Sequence, residues 1–248
     1  MFNRVLLMLL LMLFSSFAQA HALIFDANTT GSVIYGSGNA NGDWTLDRNN
    51  GVELGLRAKL RFVGSIDPGN DSTYNAPTGL TGTAAKWNFD FSINSNFDGS
   101  TGLNVGALNY ALFLDTDASQ GVNFISYNPA TGHGDNSFGT NATAQSQGVE
   151  AANAGQFATY LGSFNLVQNS FNLSWAGIGF DPLANGTYDF VLNAYNASGD
   201  VLASTLMTVI VGAGGAPIAT PEPSTLLLGG LGLVGMVMAR RRMKSAQA

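Results

Sequence analysis

The sequence predicts an all-β fold, an antiparallel two-sheet sandwich of the jelly-roll kind, flanked by an N-terminal signal peptide and a single short transmembrane helix at the C-terminus. Three observations carry this. Trp87, Phe89, Phe91 and Ile93 alternate with Asn88, Asp90, Ser92 and Asn94 at a strict period of two, the mark of a strand with one apolar face. The chain is rich in turn formers, with 31 glycines among 248 residues and abundant asparagine. No long amphipathic helical period appears between the two termini, so two packed sheets are the economical way to bury the apolar faces.

The N-terminus comes first. Arg4 precedes ten uninterrupted apolar residues, 5–14, and Ala18-Gln19-Ala20 supplies the small-x-small pattern that signal peptidase seats. Cleavage is expected after Ala20, leaving His21 as the new N-terminus. The run is too short to span a bilayer as a permanent anchor.

The expected body covers 21–212. Strands are predicted at 54–63, 86–94, 110–114 and 124–127. Phe171, Leu173 and Trp175 alternate with Asn172 and Ser174 as a further strand. Residues 188–195 and 201–211 form a terminal hairpin about an Asn196-Ala197-Ser198-Gly199-Asp200 turn. Asp67-Pro68-Gly69-Asn70-Asp71 and Phe97-Asp98-Gly99-Ser100 are turns. Residues 131–155 are polar and read as a long loop, with a short helix near 148–154 as the other reading. Residues 213–220 form a flexible spacer, Gly- and Ala-rich at its start.

Charge and composition exclude several functions. Between the expected cleavage points the chain carries 5 basic and 15 acidic residues, a net charge of −10, which argues against nucleic acid or anionic lipid as partner. The absence of cysteine excludes a lipoprotein anchor, a cysteine nucleophile and thiolate metal sites. His21 and His133 are the only histidines, and no HExxH helix or Gly-x-Ser-x-Gly elbow occurs in the body. The body is therefore expected to be non-catalytic and without a cofactor, calcium being the one candidate. Asp115, Asp117 and Ser119 offer oxygens at alternate positions, as a hard cation favours, whereas Ser126 at the twelfth position excludes an EF-hand. A plain Asp-rich turn is the competing reading.

Arg57, Lys59 and Arg61 fall on one face of the predicted 54–63 strand. They are either a solvated face paired with acids or a contact for an anionic glycan. Trp87 and Trp175, in phase with phenylalanines, are expected in the core, which leaves Trp44 as the candidate exposed platform for a sugar ring. Gly230-Leu231-Gly232-Leu233-Val234-Gly235 satisfies a dinucleotide fingerprint by letter but lies in the apolar tail with no strand before it.

The C-terminal segment, 221–248, carries the most specific signal. Pro221-Glu222-Pro223 is followed by the apolar stretch 224–239 and then Arg240-Arg241-Arg242. Sixteen residues of helix reach about 24 Å against a hydrocarbon core of about 30 Å, so this is a short span. Gly229, Gly230, Gly232 and Gly235 weaken it further. The arginines hold their end in the cytoplasm and place the body outside.

In motif, order and spacing, Thr220-Pro221-Glu222-Pro223-Ser224-Thr225-Leu226-Leu227-Leu228, the glycine-containing span and the arginine cluster resemble the PEP-CTERM sorting tail of exported Gram-negative proteins. The resemblance implies recognition by an exosortase, a membrane cysteine protease or transpeptidase, with Pro221, Glu222 and Pro223 as recognition element and Arg240, Arg241 and Arg242 as stop-transfer charges. It implies transient anchoring in the inner membrane, removal of the tail at or near the motif, and delivery to the cell surface or matrix. The segment 50–62 is also similar to one met in the bodies of other such proteins, with no activity attached. On this reading the body is an exopolysaccharide- or biofilm-associated module. A lectin-like or ice-associated domain, a glycan hydrolase or lyase on the same scaffold with paired carboxylates outside any motif, and a membrane-tethered surface protein whose tail stays on, are the alternatives.

Overall fold

A computed structural model of the protein describes residues 22–132 and 134–217. The expected signal peptide with Ala18 and Ala20, then His21, His133, and the tail with Pro221, Glu222, Pro223, Arg240, Arg241 and Arg242 lie outside the described residues. Among the described residues no helix is long and apolar enough to cross a membrane.

Among the described residues fifteen strands form two main sheets and a small ribbon. The first sheet, A, runs in the order β1 (Ile24–Ala27), β2 (Trp44–Asn49), β3 (Val52–Leu60), β8 (Trp87–Asn94), β13 (Leu166–Phe171), β11 (Ser137–Gly139) and β12 (Val149–Glu150), with β4 (Gly64–Ser65) paired to the end of β3. The second, B, runs β10 (Phe124–Tyr127), β9 (Asn109–Asp115), β14 (Gly186–Tyr195), β15 (Val201–Val211) and β5 (Thr73–Ala76). β6 (Leu80–Thr81) and β7 (Ala84–Ala85) form the ribbon. One α-helix is described, α1 (Ala154–Leu161), capped by the Asn153 side chain accepting from the Gln156 N–H. It packs on β11 through Phe138, whose ring lies 5.2 Å from that of Phe157.

From β3 to β14 the long strands alternate between sheets: β3, β8 and β13 in A, and β5, β9 and β14 in B. Each end closes with a hairpin inside one sheet, β2–β3 in A and β14–β15 in B. The pairings are antiparallel except β5–β15, which is parallel, a departure from the wholly antiparallel expectation. The reason is topological. β5 enters sheet B by crossing from sheet A, so no hairpin forces it to run against its neighbour.

The core lies between the sheets. Trp87, Phe89, Phe91 and Ile93 of β8 join Val52, Leu54, Leu56 and Ala58 of β3 and face Tyr188, Phe190 and Leu192 of β14 and Met207 and Val209 of β15. The Phe89 and Phe190 rings, one from each sheet, are 5.0 Å apart. The β14 burial pattern alternates along its whole length, as a strand with one covered face must. The terminal hairpin has the predicted turn, with the Asn196 side chain accepting from the N–H groups of Ser198 and Asp200.

Several expectations are corrected. The predicted wet face of β8 is dry: all eight of its residues are buried. The cover is the segment 29–42, which crosses the outer face of sheet A without joining it as a strand. Its backbone must find partners, and polar side chains of the sheet supply them. Gln168 Oε1 accepts from the N–H groups of Val33 (2.8 Å) and Ile34 (3.2 Å), while its Nε2 donates to Gly31 O and Ser92 Oγ. Glu53 accepts from the Thr30 N–H at 2.9 Å and from Arg48 Nε at 2.6 Å. Arg57, also buried, pairs with Asp90 at 2.8 Å, donates to the carbonyls of Ala40 and Gly42, and lies over the Trp44 ring with its guanidinium carbon 4.3 Å from the centroid. Lys59 donates to Asn39 Oδ1, and burial holds its amine below the usual lysine range.

The Arg57-Lys59 stripe is thus neither solvated nor open to a glycan, and only Arg61 reaches the surface region. The strand predicted at 54–63 ends at Leu60, because Phe62 has a φ of +65°. The strand predicted through Trp175 ends at Phe171 and gives way to a 3-10 turn, Leu173–Trp175. The polar stretch 131–155 holds β11 and β12, and its helix starts at Ala154, where the expected one ended. Residues 212–215 are pinned rather than free: Gly212 N–H donates to Ala76 O and Gly215 N–H to Thr187 Oγ1, both at 2.9 Å.

Candidate functional site

Asn172 decides where the site forms. Its Oδ1 accepts from the Ser174 N–H, and its Nδ2 donates to the carbonyls of Ala85 and Trp87 and to Asn88 Oδ1. Those four bonds stop β13 from continuing and turn the following residues outward. Trp175 consequently stands 52% exposed, edge-on to Phe171 at 6.0 Å. Trp44, the expected platform, is instead buried against Arg57, and Trp87 is in the core as predicted. The period-two phase that placed Trp175 inside does not survive the turn.

Across from Trp175 lies β10, the edge strand of sheet B, paired only with β9, so all four of its residues are exposed. Between the two is a cleft of about 490 Å³. Its floor is apolar, formed by Phe91, Leu114 and Phe171, and its sides include Tyr127 and Trp175. The polar end is built from residues 128–132 and 134–136 against β13. Asn169 Nδ2 donates to Asp135 Oδ1 at 2.9 Å and to Asn136 Oδ1 at 2.7 Å, and Asn136 Nδ2 donates to Pro129 O. The Asn128 side chain accepts from the Ala130 N–H, so this end is held by its own hydrogen bonds. Among the described residues Asp135 is the only acid lining the cleft. An apolar floor, two aromatic walls and a few fixed amides are chemistry for holding a ring whose faces are C–H and whose edge is hydroxyl.

Asp115, Asp117 and Ser119 head consecutive turns, each with a side-chain oxygen on a backbone N–H. Asp115 Oδ1 accepts from the N–H groups of Asp117 and Asn123, Asp117 Oδ1 from Ser119 N–H, and Ser119 Oγ from Gly121 N–H. Alternate spacing of oxygens is also the spacing of such turns. Among the described residues a different acidic group converges: the carboxylates of Asp26, Asp43 and Asp67 lie within 4.8 Å of one another. Desolvation, followed by the charges of Asp67 and Asp43, holds the Asp26 carboxyl above its usual range. Three segments supply these acids, so no local motif announces them. Ser65 Oγ donates to Asp43, which ties β4 to the group.

The described body is a β-sheet fold that carries this cleft, and the most specific motif of the chain lies outside it. Residues 219–242 match the PEP-CTERM protein-sorting motif, so the chain carries the signal of an exosortase substrate, an exported, surface-directed protein. A comparison with curated proteins returns no match to this chain.

Proposed function

We propose that the body is a non-catalytic module that associates with exopolysaccharide at the surface or in the matrix of a Gram-negative bacterium. Signal peptidase cuts after Ala20, the short C-terminal helix holds the chain in the inner membrane, and exosortase acts at or near Pro221-Glu222-Pro223. The released body then holds polysaccharide in the cleft between Tyr127 and Trp175. The observation that carries this reading is that cleft, with exposed aromatic rings set beside fixed amides.

The test is binding of the purified body, 21–220, to immobilised polysaccharides. The wild-type body is expected to be retained on at least one of them, and Trp175→Ala to weaken retention by about 5- to 150-fold with little change in Tm, since aromatic stacking contributes about 1–3 kcal/mol. Silence across a broad polysaccharide set removes the reading.

A further inference from the structure

Beyond Trp175, outside the residues that line the cleft, lies a shelf formed by Arg61 and Phe62. Arg61 lies between two rings, its guanidinium carbon 4.6 Å from the Phe62 centroid and 5.3 Å from that of Trp175. Its Nη1 donates to Thr81 O at 2.8 Å, which fixes the fork in place. Phe62 is 61% exposed and holds a φ of +65°, a conformation that a bulky side chain adopts only under constraint. Burial does not explain why an aromatic residue occupies that position. Stacking on Arg61 does, because it keeps the ring beside the guanidinium on the open surface.

The charges narrow the choice to two cations. Of the five cations in the body, Arg48 and Arg57 pair with Glu53 and Asp90, and Lys59 is buried against Asn39. Among the described residues neither Arg61 nor the exposed Lys86 has an acidic partner, although acids outnumber bases by fifteen to five between the two expected cleavage points, and of these two only Arg61 is flanked by aromatic rings. A surface guanidinium left unpaired amid such a surplus, framed by two exposed rings, matches a ligand that brings both a carboxylate and a ring.

Resting on the glycan reading above, we propose that the cleft continues over Trp175 onto the Arg61-Phe62 shelf and that its ligand is an acidic polysaccharide, with a uronate-type carboxylate on Arg61. The net negative charge of the body does not oppose this at close range. At physiological ionic strength charges more than about 8 Å apart are largely screened, so the guanidinium in contact decides.

The probes are polygalacturonate and the same polymer with its carboxylates methyl-esterified. The wild-type body is expected to bind the acidic polymer at least about tenfold more tightly than the ester. Arg61→Gln is expected to remove that preference, leaving the residual binding to the ester unchanged, and Arg61→Lys to recover only part of it, because the ammonium lacks the planar fork. Trp175→Ala is expected to weaken both polymers together. Circular dichroism and Tm of each variant confirm that the fold is retained. Equal binding of the two polymers by the wild type, or a preference that survives in Arg61→Gln, overturns the acidic shelf and leaves the glycan reading standing. Binding of neither these nor any neutral polysaccharide overturns both.

Discussion

Asp90→Ala is expected to destabilise the body by about 3–5 kcal/mol, because it leaves the Arg57 guanidinium buried without its counter-charge. For a domain of this size that corresponds to a fall in Tm of about 6–20 °C by differential scanning calorimetry. The argument rests on burial. Both side chains are fully covered, and the pair sits beneath residues 29–42, out of reach of water that would otherwise solvate the orphaned cation. The pair itself is not strongly stabilising, since Arg57 Nη2 and Asp90 Oδ1 each lack a hydrogen-bond partner. Arg57→Met with Asp90→Leu is therefore expected to recover much of the loss. Recovery stays incomplete because the carbonyls of Ala40 and Gly42 lose their donor, at about 1 kcal/mol each. A single mutant as stable as wild type would mean that the covering segment opens readily and that the outer face of sheet A is wet after all.

Phe89→Ala is the second large effect, at about 3–5 kcal/mol. Phe89 sits at the middle of β8, between Ala58 of β3 and Phe171 of β13 in register. Its ring meets Phe190 of the other sheet at 5.0 Å and Phe171 at 5.8 Å. Truncation removes the apolar area and leaves a void that two sheets, fixed by their ladders, close only in part. The midpoint in urea should fall with the slope unchanged, since the fold and the area exposed on unfolding are retained. A loss well under 1 kcal/mol would contradict the placement of β8 at the centre of the sandwich.

The sequence made the inner face of the sandwich readable because it is written locally. Alternation at Trp87, Phe89, Phe91 and Ile93, and again along β14, specifies a covered side without reference to anything distant. The outer face of sheet A was not readable. Its cover comes from residues 29–42, which have no period, and polar residues at Asn88, Asp90 and Ser92 look the same whether they face water or a hydrogen-bonding strap. Arg57 and Lys59 were misplaced for the same reason.

The exchange of Trp44 and Trp175 has a different cause. Extending the alternation from Phe171 to Trp175 passes through Asn172, whose side chain makes bonds that end the strand. A signal was available at Asn50-Gly51: both have positive φ, +50° and +74°, and they form the two-residue turn between β2 and β3. The cleft drew on segments far apart in the chain, and neither Asn169 nor Asp135 belongs to a recognisable motif. The sorting tail, by contrast, is linear and was legible residue by residue.

Intact-mass analysis of the mature protein recovered from outside an exosortase-bearing host reads both processing sites at once. The expected mass is that of a chain beginning at His21 and ending at or near Pro221, without Arg240, Arg241 and Arg242. A secreted or surface-exposed product that still carries those three arginines would contradict removal of the tail and make the protein a permanently tethered one.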